Sequence, residues 1–547
     1  MSKFEQGTYH GSANHQALTP LSLLERAGEV YADRIAVIDG ERSFTWKQHV
    51  ERCFQLAKAL KHAGIEKEDI VSFFVTNRPA MLEAQFGVPL SGGIINTLNI
   101  RLDVNTVAYI LQHSESKIVV AEQQFVGLIR EAVKIAGLPI QIIQVVDVAA
   151  TAELLPGERE YEAFIANAPQ DIEVHFPENE FDAIALSYTS GTTGKPKGVI
   201  YHHRGAYLNA LGSVIYAGFN KVSRPVYLWT LPVFHCNGWC HAWALAAVGG
   251  THVCLRKVVA EDIYNLIKQH GVTHFSGAPA VLATLCAEKP ANWVKPDREI
   301  TVCCAGAPPP FTVLKQTEQL GFKVLHVYGM TEQHSVNTVC EYQESWQELS
   351  EDDRLHKICR QGVITTVGGR LMVANHESCE PVPKDGVTMG EVMFQGNLGM
   401  KGYFKNPEAT AEAFTNDWYH SGDLAVWHAD GYIEIKDRLK DIIISGGENI
   451  SSIEVEEALL SHAAVQEVAV VAVPDEKWGE VPCAIVQLHA EYKKQISKED
   501  ILAHSRSILA GYKMPKHIFF EDVERTSTGK LQKFKLREHV LKLINGN

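Results

Sequence analysis

The segment IALSYTSGTTGKPKGVIYHH (184–203) decides how the rest of the chain is read. An apolar run enters Tyr188-Thr189-Ser190-Gly191-Thr192-Thr193-Gly194-Lys195-Pro196-Lys197-Gly198, and a second apolar run leaves it. Glycines let the backbone turn tightly and approach a ligand closely. Ser and Thr bring hydroxyl donors, successive main-chain N–H groups form an anion nest, and Lys brings charge. Each residue type suits a polyphosphate. The order is not the nucleotide loop G-x-x-x-x-G-K followed by Ser or Thr, so that class is set aside. A plain Gly/Ser/Thr linker would not be framed by two apolar runs or carry Lys195 and Lys197.

Outward from this loop, short Val/Ile-rich runs alternate with helical stretches. IVSFFV (70–75), KIVVAE (117–122) and IQVVDV (143–148) read as strands, and PAMLEAQFGVPL as a helix after the first. VYLWTLPV (226–233), GVTHFSGAP (271–279) and FKVLHVYG (322–329) continue the rhythm. Continuous apolar strands followed by helices point to parallel sheets covered on both faces. Near residue 390 the texture changes to short Gly- and Asp-punctuated strands. From about residue 440 a compact pattern follows: helix ISSIEVEEALLSH, strands VQEVAVVAVPD and VPCAIVQL, helix KEDILAHSRSIL, and a last strand in KHIFFEDV.

With 547 residues, 46% apolar and 21% charged, the chain can bury large cores over several folding units. The net charge of −14 has the wrong sign for a nucleic-acid partner. Eleven thinly spread cysteines fit a reduced cytoplasmic protein rather than a disulfide framework. The opening MSKFEQGTYHGSANHQ lacks an apolar leader run, and the closing LKLINGN is not a peroxisomal address of the SKL type. No apolar run reaches the roughly 18 residues of a membrane span, so no integral membrane segment is expected.

The loop YTSGTTGKPKGV resembles the signature of the acyl-adenylate-forming synthetases, which include acyl-CoA synthetases and luciferases. The resemblance extends from about residue 20 to residue 536. It implies that Thr189, Ser190, Gly191, Thr192, Thr193 and Lys197 cradle the phosphates of ATP. In Tyr328-Gly329-Met330-Thr331-Glu332, it implies an aromatic on adenine, a hydroxyl on phosphate and a carboxylate, Glu332, on Mg²⁺. Gly306, Ala307 and Pro308 resemble the loop lining the adenine and acyl sites. Asp423 matches a carboxylate on the ribose hydroxyls, and Arg438 an arginine on ribose and phosphate. The family usually has Gly where Asp437 stands.

Lys440 matches the hinge, Gly447 in Ser445-Gly446-Gly447-Glu448-Asn449 the thiol tunnel, and Lys530 in Thr526-Ser527-Thr528-Gly529-Lys530 the catalytic lysine of adenylation. The family usually has Pro where Glu524 stands. Pro474-Asp475-Glu476-Lys477-Trp478-Gly479-Glu480 reads as structural or tunnel-lining.

In Leu231-Pro232-Val233-Phe234-His235-Cys236-Asn237-Gly238-Trp239-Cys240-His241, two His and two Cys lack zinc spacing. The resemblance makes His235 a gate to the acyl adenylate and Trp239 a wall of the acyl pocket. In acetate-specific relatives a Trp stands at the position of Gly329; the glycine is expected to leave that space open and to disfavour acetate. This segment, with Asn96-Thr97-Leu98-Asn99-Ile100-Arg101-Leu102, resembles the short- to medium-chain and small aryl acyl-CoA ligases, including methylmercaptopropionate–CoA ligases.

The expected fold is α/β: two mixed-sheet α/β subdomains plus a β-rich subdomain in residues 1–437, a hinge at 438–441, and a small mobile α+β domain at 442–547. The expected activity joins a small carboxylic acid to coenzyme A at the expense of ATP, with AMP and pyrophosphate released, by a monomer or homodimer. The rivals are an adenylating enzyme with a carrier-protein acceptor and a non-catalytic acyl- or nucleotide-binding relative.

Overall fold

The computed structural model describes residues 3–4, 7–9, 11–147, 153–189, 195–307, 309–493, 495–523 and 531–546. Within them, most of the apolar runs become strands. Ile70–Phe74 and Ile118–Glu122 are buried at every position, which explains why neither alternates. Pro79–Leu90 has no polar face and is buried throughout. Its one carboxylate, Glu83, is held by Arg52 Nε at 2.6 Å and by the Tyr161 hydroxyl at 2.6 Å.

Two large sheets make the body, an eight-stranded and a nine-stranded one. In the eight-stranded sheet, Ile70–Phe74 pairs in parallel with Ile94–Thr97 and Ile118–Glu122. Ile94–Thr97 pairs in parallel with Ala183–Thr189. That strand turns back antiparallel into Lys197–His202, with Thr189 opposite Lys197. The loop that opened the sequence reading is therefore the connection of a β-hairpin. In the nine-stranded sheet, Val226–Leu228, His274–Gly277, Ile300–Cys304 and Phe322–Met330 run parallel. The chain then reverses into Ser335–Val339.

A four-stranded antiparallel sheet follows: Arg370–Ala374, Met389–Gln395, Tyr419–Trp427 and Ile433–Arg438. It is tied back to the eight-stranded sheet by Gly402–Tyr403, which pairs with Lys197–His202.

The last sheet is built from residues 443–520. Its long hairpin, Val465–Asp475 with Gly479–Leu488, has a helix on each face. Val468, Val470 and Ala472 pack with Val455 and Leu459 of the helix Ser452–Leu460. Ala469, Val471 and Val473 pack with Val540 of the helix Lys533–Ile544. Burial on both faces is why VQEVAVVAVPD reads as a nearly unbroken apolar run.

Three sequence readings shift. The strand expected at 143–148 lies at Gln141–Val145. VYLWTLPV contributes only Val226–Leu228. The chain does not end on a strand: a helix, Lys533–Ile544, follows, and its N-cap residue Gln532 makes no side-chain cap that would signal its start.

Candidate active site

The hairpin Ala183–Thr189/Lys197–His202 sets Thr189 and Lys197 side by side at the mouth of the eight-stranded sheet. Ser190, Gly191, Thr192 and Thr193 lie outside the described residues. Aromatic rings flank the hairpin. Lys195 Nζ stands 5.3 Å above the Tyr109 ring, and the Tyr188 hydroxyl lies 2.8 Å from His113 Nδ1. Lys197 Nζ stands 4.8 Å above the ring of Tyr403. The Tyr403 hydroxyl donates to Glu332 Oε1 at 3.0 Å. Tyr403 thus bridges the lysine expected on phosphate and the carboxylate expected on Mg²⁺. Sequence reasoning missed Tyr403, whose only signal was its place in GMKGYF, a stretch read as plain hairpin.

Glu332 follows directly from the strand Phe322–Met330 through the short turn Thr331–Gln333. Its main-chain carbonyl accepts from Met400 N at 2.9 Å, which fixes the turn. Among the described residues Oε1 alone takes a side-chain hydrogen bond. A carboxylate with one oxygen so placed fits a hard cation such as Mg²⁺, which takes few protein ligands and shares them with phosphates.

Four residues before Glu332, on the strand itself, the Tyr328 hydroxyl donates to Asp423 Oδ2 at 2.7 Å. Arg438 Nε lies 3.5 Å from Asp423 Oδ1, and the two residues are register partners on neighbouring strands. Burial and the adjacent Asp423 push the Tyr328 hydroxyl well up, so it stays a donor at neutral pH. Gly306 holds φ +94, and Gly306 and Ala307 are exposed; Pro308 lies outside the described residues.

Gly329 has a different reason to be glycine from the one expected. A Cβ there would fall 1.6 Å from the carbonyl oxygen of Ser335, in the strand that pairs with it. The space beside Gly329 is occupied by backbone rather than left open, so this glycine does not disfavour acetate.

Between the strand Val226–Leu228 and the helix His241–Val248 the chain makes a left-handed turn. Cys236, Asn237, Gly238, Trp239 and Cys240 have φ of 42, 45, 61, 53 and 59°. Such a conformation costs about 1–2 kcal/mol for each non-glycine residue. It persists only where the surroundings enforce it. Here the Trp229 ring lies 3.2 Å from where a Gly238 Cβ would be, and the Phe234 carbonyl accepts from Thr97 Oγ1 at 3.3 Å. The turn sets Cys236 Sγ 3.3 Å from Thr331 Oγ1 and 3.9 Å from His235 Nε2. Trp239 is only 5% exposed. His235, Cys236 and Thr331 therefore meet, joining the expected acyl gate to the expected phosphate residue.

Asp437, where Gly is usual, is buried and fully used. Oδ1 accepts from Arg438 N at 2.7 Å, and Oδ2 accepts from Ser452 N at 2.5 Å and Ser452 Oγ at 2.7 Å. It therefore binds the N-terminus of the helix Ser452–Leu460, where a carboxylate is favoured by the helix dipole. Lys533 lies beside it, with Nζ 2.8 Å from Glu456 Oε1. Lys440 is exposed just beyond. Gly446 and Gly447, with φ of +60 and +88°, form the two-residue turn between Ile443–Ser445 and Glu448–Ile450. Gly447 is exposed, while Gly446 N donates to the Trp478 carbonyl at 2.7 Å. Lys530 lies outside the described residues.

Two packed α/β sheets, a Gly/Thr/Ser hairpin loop and a small α+β body after Arg438 define an adenylate-forming fold. Residues 24–404 match the AMP-binding enzyme family, and residues 454–530 match the AMP-binding enzyme C-terminal domain; the chain belongs to this family. It is 45% identical over 542 residues to an acetate–CoA ligase of Humulus lupulus, covering 96% of this chain and 95% of that one. It is 44% identical to a peroxisomal acetate/butyrate–CoA ligase of Arabidopsis thaliana, covering 96% and 95%. Among solved structures, o-succinylbenzoate CoA synthetase of Bacillus subtilis in complex with its acyl-adenylate intermediate superposes with a TM-score of 0.80 at 28% identity, covering 94% of this chain and 97% of that one. The same enzyme in complex with ATP and magnesium ion gives 0.80 at 27%, covering 94% and 98%.

Proposed function

We propose that the protein is an ATP-dependent acyl-CoA ligase that activates a short- or medium-chain, or small aryl, carboxylic acid through an acyl adenylate. Acetate and butyrate belong to its candidate substrates, since relatives at 45% and 44% identity are named for them. The observation that carries the reading is the Lys197–Tyr403–Glu332 line lying next to the Tyr328–Asp423–Arg438 cluster. The first is built for a polyphosphate with its cation, the second for a ribose.

In the first step a carboxylate oxygen of the acid attacks the α-phosphorus of ATP, and pyrophosphate leaves with the electrons of the broken P–O bond. Thr189, Ser190, Thr192, Thr193 and Lys197 hold the phosphates, with Gly191 giving the backbone room. Lys530 offsets the charge that builds where two anions meet. Glu332 would hold Mg²⁺, which neutralises phosphate charge when bound. Asp423 and Arg438 position the ribose; Tyr328, Met330, Gly306, Ala307 and Pro308 enclose the adenine.

In the second step the CoA sulfur attacks the acyl carbonyl carbon, the carbon–oxygen bond to phosphate breaks, and AMP leaves. His235 gates the thiol path and Trp239 closes the acyl pocket. Residues 438–441 form the hinge between a body at 1–437 and a mobile domain at 442–547, and Lys440 is the residue that turns. Rotation brings Gly447 from its exposed turn onto the thiol path. Eleven free cysteines fit a reducing compartment, the cytoplasm being the one expected. Among the described residues no helix is long and apolar enough to cross a membrane. A monomer or homodimer suffices, since every role is assigned within one chain.

The test is acid-dependent exchange of labelled pyrophosphate into ATP, followed by thioester formation on adding CoA. Exchange in the absence of any acid, or no exchange with any acid, would refute the reading.

A further inference from the structure

The four-stranded sheet carries a second constellation. Pairing between Met389–Gln395 and Tyr419–Trp427 jumps from Glu391 opposite Leu424 to Met393 opposite His420. The second strand therefore bulges through Ser421, Gly422 and Asp423. Gly422, at φ +72, sits in the bulge and donates its N–H to Glu391 Oε1 at 2.7 Å.

Glu391 is 1% exposed, and its other oxygen faces two imidazoles. His376 Nδ1 lies 2.7 Å and His420 Nδ1 2.8 Å from the same Oε2. His420 Nε2 lies 3.3 Å from the Thr415 carbonyl oxygen. A carbonyl only accepts, so the tautomer that uses this contact carries its proton on Nε2. In the neutral ring Nδ1 is then a lone pair pointed at a carboxylate oxygen. In that tautomer the Nδ1 lone pair and the carboxylate oxygen converge on one point. His376 Nδ1 reaches the same point, so a single cation would serve all three.

We propose that His376 Nδ1, Glu391 Oε2 and His420 Nδ1 form a binding site for a divalent transition-metal ion, zinc foremost. These donor atoms, drawn from two strands and a turn, all lie within 4.8 Å of one another. Two imidazole nitrogens and one carboxylate oxygen select zinc and its neighbours over Mg²⁺ or Ca²⁺, which prefer oxygen alone. A metal-bound imidazole normally donates its second N–H to a carbonyl or carboxylate, as His420 does to Thr415. Glu391 is likewise fixed from behind by Gly422 N. Bonds of about 2.0–2.1 Å in a tetrahedral set separate the ligand atoms by roughly 3.3 Å, so the two contacts must open by about half an ångström. His376, 51% exposed at its side chain and carried on a turn, can move that far. Cys379 Sγ lies 4.0 Å from His420 on its Nε2 side, away from the ligating face, so water completes the coordination.

The ion would clamp the bulge that presents Asp423, three residues after His420. It is a structural cation, separate from the Mg²⁺ that travels with ATP.

The test uses chelator-treated full-length protein titrated with Zn²⁺ and with Co²⁺ in the presence of excess Mg²⁺. The expected result is one ion per chain lost on His376→Ala, with affinity down about a hundredfold or more and the metal-induced rise in Tm gone, since even outer contacts are worth 10–100-fold. His376→Ala should fold and turn over MgATP normally without zinc, and Cys379→Ser should bind as the parent does. Equal binding by His376→Ala and the parent would overturn the proposal. So would absence of binding, which would leave the two imidazoles as hydrogen-bond partners of Glu391. Loss of binding in Cys379→Ser would overturn the assigned donor set.

Discussion

The Tyr328 hydroxyl and Asp423 Oδ2, 95 residues apart in sequence, are joined by a 2.7 Å hydrogen bond. It locks the end of the nine-stranded sheet to the bulge of the four-stranded one. Tyr328→Phe leaves Asp423, among the described residues, with Arg438 as its remaining side-chain partner, at a cost of about 1–2 kcal/mol. On the ribose assignment, kcat/KM for ATP falls roughly tenfold, mostly in KM. An unchanged KM for ATP would remove Asp423 from the nucleotide site.

The two half-reactions separate by residue. Lys530→Ala should slow acid-dependent pyrophosphate exchange on the order of 10²–10³-fold, the usual cost of one pre-organised charge donor. Synthetic acyl adenylate plus CoA should still give thioester at the parental rate. His235→Ala should do the reverse. Equal loss in both half-reactions for either variant would contradict the assigned division.

Gly329→Ala tests why that residue is glycine. Overpacking a core commonly costs about 1–3 kcal/mol. Here the obstacle 1.6 Å from the new Cβ is a backbone carbonyl, that of Ser335. The variant should show a lower Tm and weakened activity with every acid, including acetate. A stable variant with merely shortened acyl preference would restore the open-pocket reading.

Stability should fall on mild acidification. Burial lowers His274 from its ordinary 6.5 to about 4, His326 to about 4 and His241 to about 3. A depressed folded-state pKa means the unfolded chain takes up protons first. Stability is fully present above about 6.5 and is lost as pH falls towards about 4. Tm measured from pH 7.5 to 4.5 should drop, and His274→Gln should flatten the drop. A Tm independent of pH over that range would contradict it.

Much of the frame was legible because elements covered on both faces read as unbroken apolar runs. PAMLEAQFGVPL and VQEVAVVAVPD match Pro79–Leu90 and Val465–Asp475 in the structure. What stayed hidden depends on distant pairing. Tyr403 carries no local signal, and its role comes from a short strand that joins Lys197–His202. The left-handed turn Cys236–Cys240 defeats propensity, because no side chain there prefers positive φ except Gly238 and, weakly, Asn237. Asp437 looked like a departure from pattern, yet its carboxylate caps a helix that starts 15 residues later.

CoA-dependent AMP release by purified protein with MgATP and a panel of acids tests the ligase activity itself. Acetate, butyrate, decanoate, methylmercaptopropionate, benzoate and cinnamate cover the range, with acyl-CoA identified by mass. The expected result is equal amounts of AMP and acyl-CoA, greatest with short- or medium-chain or small aryl acids. AMP and pyrophosphate release without any acyl-CoA, or no nucleotide turnover with any acid, would contradict it.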